Sequence, residues 1–193
     1  MINKNLVKKK AKKIGFDLVG FTTAEPFNDL KTILKKRKEN DELSTFIDDD
    51  LELLTNPKKH MKNAKSIISL AISYGNSKNR SSKLNYSISN YTFGKDYHLV
   101  FNKKLKKLDN YLKNNTKNVE TKLYVDTGPI LDRAIAERAG LGWIGKNNSL
   151  INKKYGSYIF LGEIITNLDF IPDKKVENKC GSCKKCIEIC PGN

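Results

Sequence analysis

The stretch that decides the fold of this chain reads Ser66-Ile67-Ile68-Ser69-Leu70-Ala71-Ile72-Ser73. It is a short, isoleucine-rich apolar run with polar residues on both sides, which is typical of a β-strand buried on both faces. The run therefore predicts a central sheet around which the rest of the domain is built.

The sequence on either side of this run supplies further helices and strands. Helices are predicted at residues 4–14, 28–36, 96–112 and 129–139, and strands at residues 17–21, 121–125 and 157–166. The helix over 96–112 is predicted to place Leu99, Leu105, Leu108 and Leu112 near one face. Pro129 is expected in the first turn of its helix and Gly140 at its end, and residues 76–85 are predicted to form a polar loop. The alternation predicts a layered α/β or α+β domain with helices flanking the sheet.

Length and composition limit the class of protein. A chain of 193 residues with 38% hydrophobic and 30% charged residues can build one main domain and a terminal appendage. No apolar stretch approaches the roughly 18 residues that span a bilayer, and residues 1–10 lack the apolar segment of a secretion signal. We therefore expect a soluble, cytoplasmic protein.

The net charge of +15 permits a nucleic-acid partner without requiring one. A positive field of this size raises the association rate with polyanions such as RNA. A lysine- and asparagine-rich chain would carry the same excess on solvated faces with no partner at all. Because no RNA-binding module accompanies the charge, both interpretations stay open.

All four cysteines form one motif near the C-terminal end of the chain. Cys180, Cys183, Cys186 and Cys190 precede Pro191 in a C-x2-C-x2-C-x3-C-P run, the spacing of a bacterial 4Fe-4S cluster motif. A structural zinc site usually separates its two C-x2-C units by a dozen or more residues, whereas here the units overlap. Disulfides would suit a secreted chain, and a redox-active C-x2-C needs only two sulfurs. The motif thus predicts iron–sulfur ligation, with the fourth cysteine typically serving a second cluster.

Asp126 follows a predicted strand and precedes a predicted helix, the position where open α/β folds bind ligands. Its carboxyl group could act as an acid, although most aspartates in such turns bind nearby backbone amides. Local sequence alone favours that second interpretation.

The glycine-rich stretch Gly140-Leu141-Gly142-Trp143-Ile144-Gly145 resembles a dinucleotide-binding fingerprint but follows a helix instead of a strand. The residue after Lys146 is not Ser or Thr, so the stretch does not complete a phosphate-binding loop either. Its glycines could instead bring the backbone close to a large flat ligand, with Trp143 as an apolar face. His98 could bind metal or phosphate, but His60 has no spacing relation to it, so a two-histidine metal site is not expected.

Three blocks, in this order, resemble the epoxyqueuosine reductase family. They are Tyr124-Val125-Asp126-Thr127-Gly128-Pro129, then Glu137-Arg138-Ala139-Gly140-Leu141-Gly142-Trp143-Ile144-Gly145-Lys146, and then the cysteine run. Weaker matches are Pro57 with Ala64-Lys65-Ser66-Ile67-Ile68, the block from Tyr91 to His98, and Gly156-Ser157 with Leu161-Gly162-Glu163-Ile164. The resemblance covers nearly the whole chain.

The resemblance implies a cobalamin-dependent enzyme that reduces epoxyqueuosine to queuosine at the wobble position of tRNA, the last step of queuosine biosynthesis. It implies a nitroreductase-like, cobalamin-binding catalytic domain at residues 1–172 and the start of a ferredoxin-like 4Fe-4S module at residues 173–193. Asp126 would be the proton donor. Cobalamin would be bound by Tyr97, His98, Gly142, Trp143, Ile144, Gly145 and Lys146, and a cluster by Cys180, Cys183, Cys186 and Cys190. The implied partners are tRNA and an external electron donor, and we expect a monomer.

Two departures from the family pattern qualify this interpretation. Residues 48–52 are acidic where the family has an arginine-containing stretch, and a second cysteine motif is missing, so we expect a fragment or truncated product. Two other functions stay open: a related corrinoid iron–sulfur reductase of a small molecule, and an electron-carrier module without tRNA activity.

Overall fold

The computed structural model describes residues 2–44, 47, 50–75 and 89–192. The helices are α1 (Lys4–Ile14), α2 (Asn28–Glu39), α3 (Leu51–Thr55), α4 (Pro57–His60), α5 (Tyr97–Asn115), α6 (Asp132–Arg138) and α7 (Lys185–Glu188), with a 3-10 turn at Asn90–Phe93. The strands are β1 (Leu18–Thr23), β2 (Ser66–Ser73), β3 (Thr121–Tyr124), β4 (Trp143–Ile144), β5 (Leu150–Ile151) and β6 (Ile159–Thr166). The loop predicted at residues 76–85 lies outside the described residues.

A four-stranded antiparallel sheet in the order β1-β2-β6-β3 forms the centre of the domain. Strand β2 has the predicted bounds, its first six residues are buried, and it pairs with β6 from Ser66 opposite Thr166 to Ser73 opposite Ile159. The predictions of a central sheet and of a strand buried on both faces are therefore confirmed.

Helices cover both faces of the sheet because the side chains of β2 alternate between them. Ile68 and Leu70 pack in one cluster with residues of α1 and α5. Ile67 packs in a second cluster with Ile135 of α6, and Ala71 in a third with Ala136 of α6. The result is the predicted α+β arrangement with flanking helices.

Two details of the predicted helices are wrong. Leu99 of α5 is 70% exposed, whereas Phe101 is fully buried with Leu105, Leu108 and Leu112. Six positions separate Leu99 from Leu105, which is about 600° of helical rotation, so Leu99 faces away from the sheet. Helix α6 begins at Asp132 instead of near Pro129, because the hydrogen bonds from Thr127 N to Val125 O (2.6 Å) and from Ile130 N to Gly128 O (2.8 Å) close short turns that an α-helix does not contain.

The chain beyond β6 returns along the outer edge of the sheet. The backbone N–H of Asp173 donates to Phe21 O in β1 (2.8 Å), and the Asp173 carboxylate accepts from Phe21 N (3.0 Å). Lys4 and Lys8 of α1 form ion pairs with the same carboxylate at 2.8 and 2.9 Å. These contacts fix where the segment leading to the cysteines leaves the sheet. Within the described part of the chain, no helix is long and apolar enough to cross a membrane.

Candidate active site and cysteine loop

Asp126 lies in the loop between β3 and α6, at one end of the sheet. Its φ of 54° is in the left-handed region, which Asp and Asn tolerate better than most other residues. Its side chain is 58% exposed and lines a cavity of about 800 Å³. The loop therefore presents an accessible carboxyl group to a large open cavity.

Tyr97 and His98, at the start of α5, both approach this carboxyl group. The Tyr97 hydroxyl donates a hydrogen bond to Asp126 Oδ2, and His98 Nε2 lies 3.5 Å from the same oxygen. Asp96 caps α5 by accepting from His98 N (2.8 Å), and its Oδ1 is also 2.8 Å from His98 Nδ1. The Asp96 cap thus orients His98. Tyr97, His98 and Asp126, which are at most 29 positions apart in the sequence, meet at this end of the sheet.

Hydrogen bonding and burial set the charge of the groups around Asp126. The pKa of Tyr97 is raised well above its usual range, first by burial and then by its hydrogen bond to Asp126. The pKa of Asp96 is lowered, chiefly by the hydrogen bond with the His98 side chain. Tyr97 therefore stays protonated as a donor, and Asp96 stays ionised as the acceptor that orients His98.

The Tyr97 ring is held between two other rings. It stacks on Phe160 of β6 with centroids 4.0 Å apart and planes at 1°, and it stacks on His98, also with centroids at 4.0 Å. This packing restricts the tyrosine to the orientation in which its hydroxyl meets Asp126.

The cavity is bounded by apolar side chains on one side and by the Asp126 loop on the other. Leu30, Ile33 and Leu34 of α2 face residues 126–134, and Ile144 closes one side. A cavity of this size and character suits a large ligand with an apolar surface. Of the residues predicted to bind cobalamin, Ile144 lines this cavity, and Tyr97 and His98 contact Asp126 in its wall.

The glycine-rich stretch after α6 forms the β4–β5 hairpin, and two of its glycines are required by packing. A Cβ atom on Gly142 would lie 2.2 Å from Ile151 O, and one on Gly145 would lie 2.4 Å from Ile151 Cδ1. Glu137 accepts a hydrogen bond from Ile144 N at 3.0 Å and forms an ion pair with Lys175 at 2.8 Å. Because the hairpin is held on both sides, Ile144 has a fixed position at the cavity.

The cysteine motif docks against this hairpin. The Lys146 ammonium donates to Gly181 O (2.8 Å) and Cys183 O (2.9 Å), and Asn178 Nδ2 donates to Ile144 O (3.0 Å). The pKa of the Cys180 thiol is lowered, first by the nearby Lys146 backbone N–H and then by the Trp143 side chain. A lowered thiol pKa favours the thiolate, which is the form that binds iron, so the donor set fits a cluster. Among the residues that the structure describes, no group of three His, Cys, Asp or Glu side chains is close enough together to hold a metal ion.

Two carboxyl groups near Asp126 were missed in the sequence. Asp132 lines the cavity, and Glu163 is fully buried in β6 behind it. The sequence contained one indication of this site, the single glutamate in the otherwise apolar stretch from Ile159 to Ile165. A carboxyl group is rarely buried in a strand without a partner or a function, because its burial costs free energy.

Known proteins share this sequence and fold. Residues 55–127 match the family model described as Epoxyqueuosine reductase QueG, DUF1730. An epoxyqueuosine reductase of Bacillus anthracis is 44% identical over 187 residues, covering 94% of this chain and 49% of that protein. The solved structure of epoxyqueuosine reductase from Streptococcus thermophilus superposes with a TM-score of 0.91 at 40% identity, covering 98% of this chain and 53% of the other. A crystal structure of an epoxyqueuosine reductase with an epoxyqueuosine-modified tRNA-Tyr stem loop gives a TM-score of 0.86 at 40% identity, covering 97% and 51%.

The fold extends to a more distant class of reductases. A B12-dependent reductive dehalogenase superposes with a TM-score of 0.57 at 14% identity over 90% of this chain, which shows a common fold and no more. The domain thus has a fold that occurs among reductases. Along nearly its whole length, the chain is related in sequence and structure to the epoxyqueuosine reductase family, so the resemblance predicted from the three motif blocks is confirmed. The chain spans about half the length of the curated relatives it matches.

Proposed function

We propose that this chain is the catalytic portion of an oxidoreductase that reduces epoxyqueuosine to queuosine in tRNA. The observation that carries the proposal is the Asp126 carboxyl group, held by Tyr97 and His98 at the wall of a cavity of about 800 Å³. The similarity to epoxyqueuosine reductases supplies the substrate class, and the net charge of +15 suits a polyanionic substrate. A tRNA substrate would place the enzyme in the cytoplasm.

In this proposal, Asp126 acts as the general acid. Removing the epoxide oxygen as water breaks two C–O bonds and consumes two electrons and two protons. Because the Tyr97 hydroxyl occupies Asp126 Oδ2, the transferable proton would be carried on Oδ1. Tyr97 and His98 are then positioning residues that hold the carboxyl toward the cavity.

The cofactors expected from the family fit the residues present. Tyr97, His98, Ile144 and the β4–β5 hairpin with Gly142, Trp143, Gly145 and Lys146 would surround cobalamin, which when bound would supply the reducing electrons. Cys180, Cys183, Cys186 and Cys190 would bind 4Fe-4S clusters, two in the family, that are reduced by an external donor. Residues 1–172 would form the cobalamin-binding domain, and residues 173–193 the start of the ferredoxin-like module.

The β4–β5 hairpin contacts both the cavity and the cysteine loop. Ile144 lines the cavity, while Trp143 and Lys146 contact the cysteine loop. The hairpin would thus connect a cluster held by the cysteine loop with the cavity that Ile144 lines. Lys146→Met is expected to lower the iron retained after anaerobic reconstitution, whereas Lys153→Met, an exposed matched control, leaves it unchanged.

Cofactor binding tests the proposal on this chain. Added cobalamin should change its absorption spectrum on binding, and Ile33→Glu, on the cavity wall, should weaken that binding at least tenfold. Ile171→Glu is the matched control because Ile171 is exposed and does not line the cavity. Absence of cobalamin binding would favour the electron-carrier alternative.

Substrate conversion tests it on the full-length protein. Epoxyqueuosine-containing tRNA should be converted to queuosine-containing tRNA under reducing conditions. Binding of cobalamin without any conversion of that tRNA would favour the alternative of a small-molecule corrinoid reductase.

A further inference from the structure

A buried polar cluster lies directly behind the cavity wall. Ser69 of β2 and Glu163 of β6 are register partners, and both are fully buried. Asp132, the first residue of α6, lies close enough to Glu163 for the two carboxyl groups to interact, and it also lines the cavity. The cluster therefore runs from the interior of the sheet to the cavity surface.

Most polar side-chain atoms of this cluster lack a hydrogen-bond partner among the described residues. Ser69 Oγ, Asp132 Oδ1 and both carboxyl oxygens of Glu163 are buried, and none of these four atoms has a hydrogen-bond partner among the described residues. Two adjacent carboxyl groups in such a place cannot both be ionised, because each charge would be desolvated and would repel the other. At least one proton must be bound between Asp132 and Glu163 near neutral pH.

The neighbouring charges agree with a shared proton. The pKa of Asp132 is raised to about 6, chiefly by burial; the interaction with Glu163 and the Arg133 charge lower it, and the Asp126 charge adds to the rise. Burial and the Asp132 charge raise the pKa of Glu163 well above its usual range, and Ser69 opposes this. The pair is therefore protonated at a pH where an exposed carboxyl would be ionised.

The pair is also placed where a proton would be used. Asp132 and Asp126 line the same cavity, and their carboxyl groups interact electrostatically. The proposed reaction consumes two protons, whereas Asp126 carries one.

We propose that Asp132 and Glu163 form a proton reserve that supplies the second proton of the reaction by reprotonating Asp126. The inference rests on the proposed function. In each turnover Asp126 gives its proton to the epoxide oxygen, Asp132 passes the shared proton to Asp126, and Asp126 gives it to the same oxygen, which leaves as water. Solvent in the cavity then returns one proton to the pair and one to Asp126. The two electrons come from the external one-electron donor, so the carboxyl groups undergo no redox change.

Infrared titration of the chain without cofactors tests proton sharing independently of activity. The wild type should show a protonated-carboxyl band at pH 7, and Glu163→Gln, which keeps the shape and the hydrogen bonding, should lose it. Asp126→Asn should shift the titration of this band to lower pH, since it removes the negative charge that opposes ionisation of Asp132 whenever Asp126 is deprotonated. Asp169→Asn, at an exposed site, should do neither. Absence of the band, or a band that does not respond to Asp126→Asn, overturns the proposal.

Proton delivery is tested in the full-length holoenzyme. Glu163→Gln is expected to reduce turnover about tenfold, increase the solvent deuterium isotope effect and change the pH profile. In Asp132→Ala, added formic acid should restore part of the rate, because the lost carboxyl lines the cavity. A wild-type pH profile in Glu163→Gln overturns the reserve while leaving the proposed function intact. A wild-type enzyme that fails to reduce epoxyqueuosine overturns that function and, with it, the reserve, even where the infrared result stands.

Discussion

Asp126 and the Asp132–Glu163 pair are carboxyl groups associated with one cavity, and they differ in solvent exposure and in hydrogen-bond partners. The Asp126 side chain is 58% exposed and is held by a tyrosine and a histidine from another element. Glu163 is fully buried, and its carboxyl has no partner outside its own cluster among the described residues. Hydrogen-bond partners therefore determine where an exposed carboxyl group points, whereas the lack of partners and of water determines whether a buried carboxyl group is charged.

The largest effect is expected from Asp126→Asn. Asparagine keeps the size and tolerates the left-handed backbone, so the fold should be retained, but it cannot donate the proton. Loss of a general acid typically lowers the rate by about 10²–10⁴-fold. Conversion of epoxyqueuosine-containing tRNA by the full-length protein measures this. A rate equal to that of the Asp169→Asn control would show that Asp126 is not the acid.

Tyr97→Phe should have the next largest effect. It removes the hydrogen bond to Asp126 while keeping the stacking on Phe160. Hydrogen bonds to charged groups contribute about 1.5–3 kcal/mol. Because about 1.4 kcal/mol of activation free energy corresponds to a tenfold change in rate, we expect the rate to fall roughly tenfold or more. The Tyr155→Phe variant, which lies away from Asp126, is the control for the loss of a hydroxyl group. If both variants reacted alike, Tyr97 would not position the acid.

Glu163→Gln should change how stability depends on pH. A carboxyl with a raised folded-state pKa binds its proton more tightly in the folded than in the unfolded protein, so it lowers stability as pH rises from about 4 through the folded pKa. Each unit by which the pKa is raised costs about 1.4 kcal/mol above that range. Denaturant unfolding at pH 5 and pH 7 should therefore show a smaller loss of stability in Glu163→Gln than in the wild type. Equal losses in both proteins would mean that the pair is not protonated in the folded state.

His98→Gln should have the smallest effect. His98 Nε2 is 3.5 Å from Asp126 Oδ2, beyond a strong hydrogen bond, and the backbone N–H at position 98 can still donate to the Asp96 cap of α5. A reduction of only about two- to fivefold in the rate is expected, equivalent to less than about 1 kcal/mol. A loss as large as that of Asp126→Asn would make the histidine a second acid and remove the contrast between the exposed and buried sites.

Much of the fold was predictable because it depends on local patterns. The bounds of α1 and β2 were predicted to the residue, and the left-handed Gly15 and Gly140 end their helices as expected. The error at Leu99 arose from treating spaced leucines as one face, when the 3.6-residue period places Phe101 there. The start of α6 was predicted too early because proline suits a first helical turn in general, whereas here local turns hold residues 125–130.

The sequence by itself determined the central strand, the helical layers, the cysteine spacing and the family resemblance, because each is written in neighbouring residues or in fixed spacings. The tertiary structure alone decided which distant groups meet. It brought Tyr97 to Asp126, attached Lys146 to the cysteine loop, and enclosed Glu163 beside Asp132. Burial and long-range contacts are properties of the packed chain, and these same properties set the protonation of the buried carboxyl groups.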